Sequence, residues 1–199
     1  MPRKSERTRQ RIVESANRLF YRQGFHNTSF SDVVAASGVP RGNIYYYFKS
    51  KDEILSAAIG YRHERLHAML EGWSEAYRTP AERLQHFLEA FLSSGDSLVR
   101  YGCPIGTLNT ELGKGHPALQ AEARELLRLF EDWFSDQFAE LGYAGEAQVL
   151  AQRLLVQLQG LAVVTQAYAR TGILEREVAQ LQRWVEGLAN GEPAELPGP

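Results

Sequence analysis

Hydrophobic positions recur along the chain with a period near 3.6, and strand-type alternation is nearly absent, so the pattern predicts an all-α protein. A first helix is expected over about Glu6–Gln23, with Ile12, Val13, Ala16, Leu19 and Phe20 on one face and Gly24 as its left-handed stop. Ser29-x-x-Asp32 has capping-box spacing and opens a short helix carrying Val33, Val34 and Ala36, closed by Gly38. Pro40 starts a second short segment with Ile44 and Phe48 at i, i+4. A further capping box, Ser50-x-x-Glu53, opens a long helix to about Trp73.

Thr79-Pro80-Ala81-Glu82 is a helix start, and the stripe Leu84, Phe87, Leu88, Phe91, Leu92 follows it. Gly102-Cys103-Pro104 breaks the chain, and a short helix runs from there to Gly113. A long helix is expected from Pro117 to Leu141, then a turn bracketed by Gly142 and Gly145. Leu150–Tyr168 is apolar on most faces, the mark of a helix that is central or covered by a partner chain. Val178, Leu181, Trp184, Val185 and Leu188 define a last helix. The Pro/Gly-rich acidic tail 191–199 is expected to be disordered. About nine helices result, divided into a three-helix head (residues 1–50) with a helix-turn-helix and a helical bundle (51–190).

Composition narrows the class. With 44% hydrophobic and 23% charged residues, the 199-residue chain has a soluble globular balance. One cysteine excludes a disulfide framework and any Cys-based structural zinc site. No apolar run approaches a membrane span and the N-terminus lacks a signal-type segment, so the expected location is the cytoplasm, with no membrane partner. The net charge of −2 is uneven: residues 1–60 hold 10 Lys/Arg against 5 Asp/Glu, and residues 61–199 hold 12 against 19. A head of +5 on a body of −7 points to a head that meets a polyanion.

The head also has the chemistry for this. The segment after Pro40 crowds Arg41, Gly42, Asn43, Tyr45, Tyr46 and Tyr47 around a back made of Ile44 and Phe48. Three successive tyrosines, about 100° apart on a helix, cannot all face one core. Such a helix can enter the major groove, with Arg41 reaching guanine and Asn43 reaching adenine or a phosphate. Tyrosine hydroxyls, Lys51, and Thr28 and Ser29 at a helix N-terminus suit phosphate contact.

Residues Thr28 to Leu55, including Val39-Pro-Arg-Gly-Asn-Ile-Tyr-Tyr-Tyr-Phe48, closely resemble the DNA-binding signature of the TetR/AcrR family of bacterial transcriptional repressors. The resemblance implies a homodimer whose heads read a palindromic double-stranded operator. It also implies a C-terminal ligand domain dimerising through the last two helices, an unidentified small-molecule inducer, and no cofactor or catalytic activity. By motif position, the DNA-contacting set is Thr28, Ser29, Arg41, Gly42, Asn43, Tyr45, Tyr46, Tyr47 and Lys51. Pro40 departs from the family, which more often has Ser there, and removes a hydroxyl cap.

Two features of the body bear on sensing. Phe87, Phe91, Tyr101, Trp133, Phe134, Phe138 and Tyr168 can form an ordinary core or line an apolar ligand pocket. Cys103, expected at a helix N-terminus, is either a small buried residue or an activated thiol. The run Gly102-Cys-Pro-Ile-Gly-Thr-Leu-Asn-Thr-Glu-Leu112 is similar to a stretch in the electrophile-responsive NemR-like subgroup. A competing motif, His63-Glu64-Arg65-Leu66-His67, has the spacing of a zinc-hydrolase helix but lacks the extended pattern and a flanking strand.

Overall fold

The computed structural model describes residues 4–192; residues 1–3 and most of the expected tail (193–199) lie outside them. Among the described residues there are ten α-helices and no strand. In chain order they are α1 (Lys4–Gln23), α2 (Phe30–Ser37), α3 (Arg41–Tyr47), α4 (Lys51–Ala76), α5 (Pro80–Ser93), α6 (Gly95–Tyr101), α7 (Gly106–Leu112), α8 (Pro117–Phe138), α9 (Ala147–Tyr168) and α10 (Gly172–Ala189). A π turn, Ala139–Tyr143, follows α8, and within it Gly142 takes φ 101°.

The caps at α2 and α5 form as their spacing predicts, but the box expected at α4 is incomplete: Ser50 accepts from the Glu53 N–H at 3.1 Å, while the Glu53 carboxylate accepts from the Lys49 N–H at 2.6 Å. Ser29 accepts from the Asp32 N–H while the Asp32 carboxylate accepts from the Ser29 N–H, and Thr79 and Glu82 repeat the arrangement at α5. Gly38 closes α2 in the left-handed conformation at φ 62°. Pro40 precedes α3 with no side-chain cap. The additional helix is α6. At its start Ser94 turns its hydroxyl onto the Phe91 carbonyl at 2.6 Å, a local bond that competes with the helix. Gly95 then lets the start of α10 come close: a Cβ there would lie 3.1 Å from the Thr171 methyl.

Contacts divide the chain into two units, and the division departs from the expected boundary at residue 50. The first unit holds residues up to Leu66 together with Pro104–Leu127; the second holds His67–Cys103 and the chain from Arg128 onward. In the first, α1 packs on α2 and α3, and Ile12, Val13, Ala16, Phe20, Phe25, Val33, Ile44 and Phe48 are buried. The segment 104–127 belongs here through α7, whose Leu108 and Leu112 are buried. Asn109 ties α7 to α8 by donating to the Ala123 carbonyl at 3.0 Å.

The second unit encloses one core of Leu84, Phe87, Leu88, Trp133, Phe134, Phe138, Leu150, Leu154, Leu158, Val178, Trp184 and Val185, among others. α10 packs on α5 and α9, and α6 on α9. α9 is long and apolar enough to cross a membrane by length and composition, which the reading of the sequence did not anticipate. One of its faces, from Leu150 through Leu161 to Thr165, lies in this core.

Candidate DNA-binding site

The turn Gly38-Val39-Pro40 joins α2 to α3 and fixes which side of α3 faces out. Val39 is buried and its N–H donates to the Ser37 hydroxyl. On α3, Ile44 is fully buried, and Phe48 just beyond the helix is nearly so. Arg41, Gly42, Asn43, Tyr45 and Tyr46 are exposed, Tyr46 to 77% of its surface. Tyr47 is half-buried and meets Tyr46 edge-on at 5.1 Å. Apart from this edge, most of the Tyr46 ring is open to a partner.

A rigid aromatic platform carries Arg41. Phe30, the first residue of α2, stacks on Tyr45 at 4.6 Å and 15°. The Arg41 guanidinium lies 5.6 Å from the Phe30 ring and 5.8 Å from the Tyr45 ring, which steadies a side chain otherwise free to rotate. Between α1 and α3 is an open cleft of about 540 Å³ lined by Ser5, Thr8, Gly42, Asn43, Tyr46 and Tyr47. Ser5 and Thr8 were not identified from sequence. They carry no motif, and only the packing of α1 on α3 brings them to this face.

Two expected phosphate ligands are placed otherwise. Thr28 is fully buried and its hydroxyl donates to the Gly24 carbonyl at 2.6 Å. The Lys51 ammonium donates to the carbonyls of Phe25 (2.8 Å) and Thr28 (3.0 Å) and lies 4.1 Å from the centre of the Phe25 ring. Both side chains therefore hold the turn between α1 and α2, and neither is directed to solvent. Ser29 is exposed, with its hydroxyl capping α2. Its side chain and backbone N–H hold the Asp32 carboxyl below the usual carboxylate range.

In the second unit, Phe87 and Trp133 are buried in the core, with Phe91 and Cys103 packed against it and Tyr101 half-buried. Tyr168, expected in the same pocket, is instead 61% exposed at the last turn of α9, 5.6 Å from the Arg170 guanidinium. Trp133 lines a cleft of about 400 Å³ shared with His67, Leu70, Glu71, Ser74 and Asp132. Cys103 precedes α7 by three residues and is half-buried. His67 of the hydrolase-like motif sits 3.1 Å from Glu71, and no group of three metal-type donors is gathered among the described residues.

The chain is similar to known regulatory proteins. Residues 12–58 match the family described as bacterial regulatory proteins, tetR family. The chain is 28% identical over 141 residues to the uncharacterized HTH-type transcriptional regulator YxaF of Bacillus subtilis, covering 70% of this chain and 74% of that protein. It is 31% identical over 129 residues to the HTH-type transcriptional repressor DhaR of a Mycobacterium species, with 63% of this chain and 61% of DhaR covered. The reduced form of E. coli NemR shares the fold at a TM-score of 0.77 and 18% identity, over 88% of this chain and 96% of NemR. The matched residues 12–58 run through α2, α3 and the turn between them, so this segment carries the helix-turn-helix of the tetR family of bacterial regulatory proteins, and its likeness to HTH-type transcriptional regulators supports a DNA-binding regulator.

Proposed function

We propose that the protein is a cytoplasmic repressor that binds a palindromic operator as a homodimer and is released by a small molecule held in its second unit. The observation that carries the DNA-reading face is the division of α3, with Ile44 buried and Arg41, Asn43 and Tyr46 turned outward beside the cleft with α1. Arg41 reads a base edge in the major groove, and Asn43, Tyr46, Ser29 and the α1 hydroxyls seat the helix on the phosphates.

The homodimer is supported by α9. Val149, Val156 and Val163 are 49%, 71% and 65% exposed at a spacing of seven residues, on the side away from the core. A heptad stripe of this kind is covered when a second helix packs along it. A ligand-binding interior is supported by two buried polar groups without a protein partner, the Thr165 hydroxyl and the Trp184 indole N–H. Each such group costs about 1–3 kcal/mol unmatched, so a ligand or water that met it gains that interaction. If a thiol-reactive electrophile is the inducer, Cys103 is the site, and Cys103→Ser retains DNA binding but loses release.

The test is operator binding by Arg41→Ala and Tyr46→Ala, read with circular dichroism on the same samples. Both variants are expected to keep wild-type helicity and lose binding to a duplex selected from a random pool by the wild-type protein. Wild-type binding by both removes α3 as the reading helix.

A further inference from the structure

We propose that Glu111 is a positioning residue for DNA binding: its carboxylate, delivered by α7, locks the turn leading into α2 and so holds α2 and α3 in the orientation that reads DNA. The inference rests on the α3 reading face above and adds a residue far from it in sequence, on α7. The Glu111 carboxylate accepts from the Phe25 N–H at 3.0 Å and from the His26 N–H at 2.7 Å. Hydrogen bonds to an ionised acceptor are about twice as strong as neutral ones.

The turn is held on its other side as well. While Glu111 binds its N–H groups, Lys51 binds its carbonyls at Phe25 and Thr28. Both charged groups thus act on the few residues between α1 and the Ser29 cap. Gly24 makes room for the carboxylate: at φ 84° it takes a conformation few side chains tolerate, and a Cβ would lie 3.1 Å from both Glu111 oxygens. His116, at the start of α8, completes the enclosure, edge-on to Phe25 at 5.3 Å and with Nδ1 4.0 Å from Asp52.

α7 is itself anchored within this unit. Asn109 fixes it to α8, and the Arg62 guanidinium on α4 joins the Pro104 carbonyl to Asn17 of α1. The Asn109-x-Glu111 pair, part of the run after Gly102, therefore serves the head. If the clamp opens, the turn samples other conformations, and apparent DNA affinity falls by the fraction of molecules left in the competent one.

The experiment combines fluorescence anisotropy with amide hydrogen exchange. The wild-type protein, Glu111→Ala, Glu111→Gln and the control Arg41→Ala are titrated into a duplex selected from a random pool by the wild-type protein, at a temperature where circular dichroism shows all four folded. Glu111→Ala is expected to bind roughly ten- to hundredfold more weakly, with faster exchange at the Phe25 and His26 amides. Glu111→Gln, whose amide oxygen still accepts one bond, falls between it and the wild type. If Glu111→Ala does not fold, Glu111→Gln decides. Wild-type affinity despite accelerated exchange in the deciding variant overturns the proposal, as does exchange at those amides that is unchanged from the wild type. Wild-type binding by Arg41→Ala instead removes the α3 reading face, an outcome distinct from failure of the clamp.

Discussion

Gly42 shows how one residue separates stability from function. It lies inside α3, where glycine costs about 0.5–1 kcal/mol relative to alanine, and a Cβ there would meet nothing within 4 Å. The fold does not require it; the proposed approach of DNA to the α3 backbone would. Gly42→Ala is expected to raise thermal stability slightly and to weaken operator binding in an anisotropy titration; a gain in both would place Gly42 away from the DNA. Asp32 gives a prediction in pH. Its carboxyl is held below its ordinary value of 3.8, so its contribution is present above that value and is lost as pH falls through the lowered one. Asp32→Asn should lower the melting temperature at neutral pH, and the difference should shrink at pH values under 3.8. Thr28 and Lys51 mark a limit of motif transfer. Their positions match a DNA-contacting pattern, yet burial of one and the carbonyl partners of the other follow from the path of the α1–α2 turn, which no short motif encodes.

At the scale of elements, the signals that were legible in sequence are those written locally. The Ser29/Asp32 and Thr79/Glu82 boxes and the Gly38 stop each depend on residues within four positions of one another. The break between α5 and α6 was not legible: the Ser94 hydroxyl on the Phe91 carbonyl marks it locally, but the Thr171 and Leu174 side chains that lie against Gly95 come from more than seventy residues away. Gly95→Val should therefore destabilise the second unit by about 1–3 kcal/mol through overpacking, seen as a lower melting temperature. An unchanged melting temperature would mean that α10 moves aside freely. The role of Glu111 was hidden in the same way: the run Gly102–Leu112 drew attention to its cysteine, while its glutamate binds backbone 85 residues earlier.

For the whole molecule, the division of charge and the division by contacts do not coincide. The +5 of residues 1–60 is a property of the sequence, but the unit that carries α3 also includes Pro104–Leu127. The chain passes between units three times, twice within a helix (α4 and α8) and once at Cys103–Pro104. Exposure of Val156 on α9 gives the proposed dimer a direct test: Val156→Glu should move the protein from dimer to monomer in sedimentation, and an unchanged dimer would place the interface elsewhere. The central claim is that the exposed side of α3 reads DNA on a charged backbone. The measurement that tests it most directly is an anisotropy titration of the wild-type protein against its selected duplex and a scrambled duplex, repeated from roughly 50 to 200 mM salt. The account predicts preference for the selected duplex and a linear fall of log affinity with log salt concentration, as counterions are released. Equal binding to both duplexes, or affinity indifferent to salt, would contradict it.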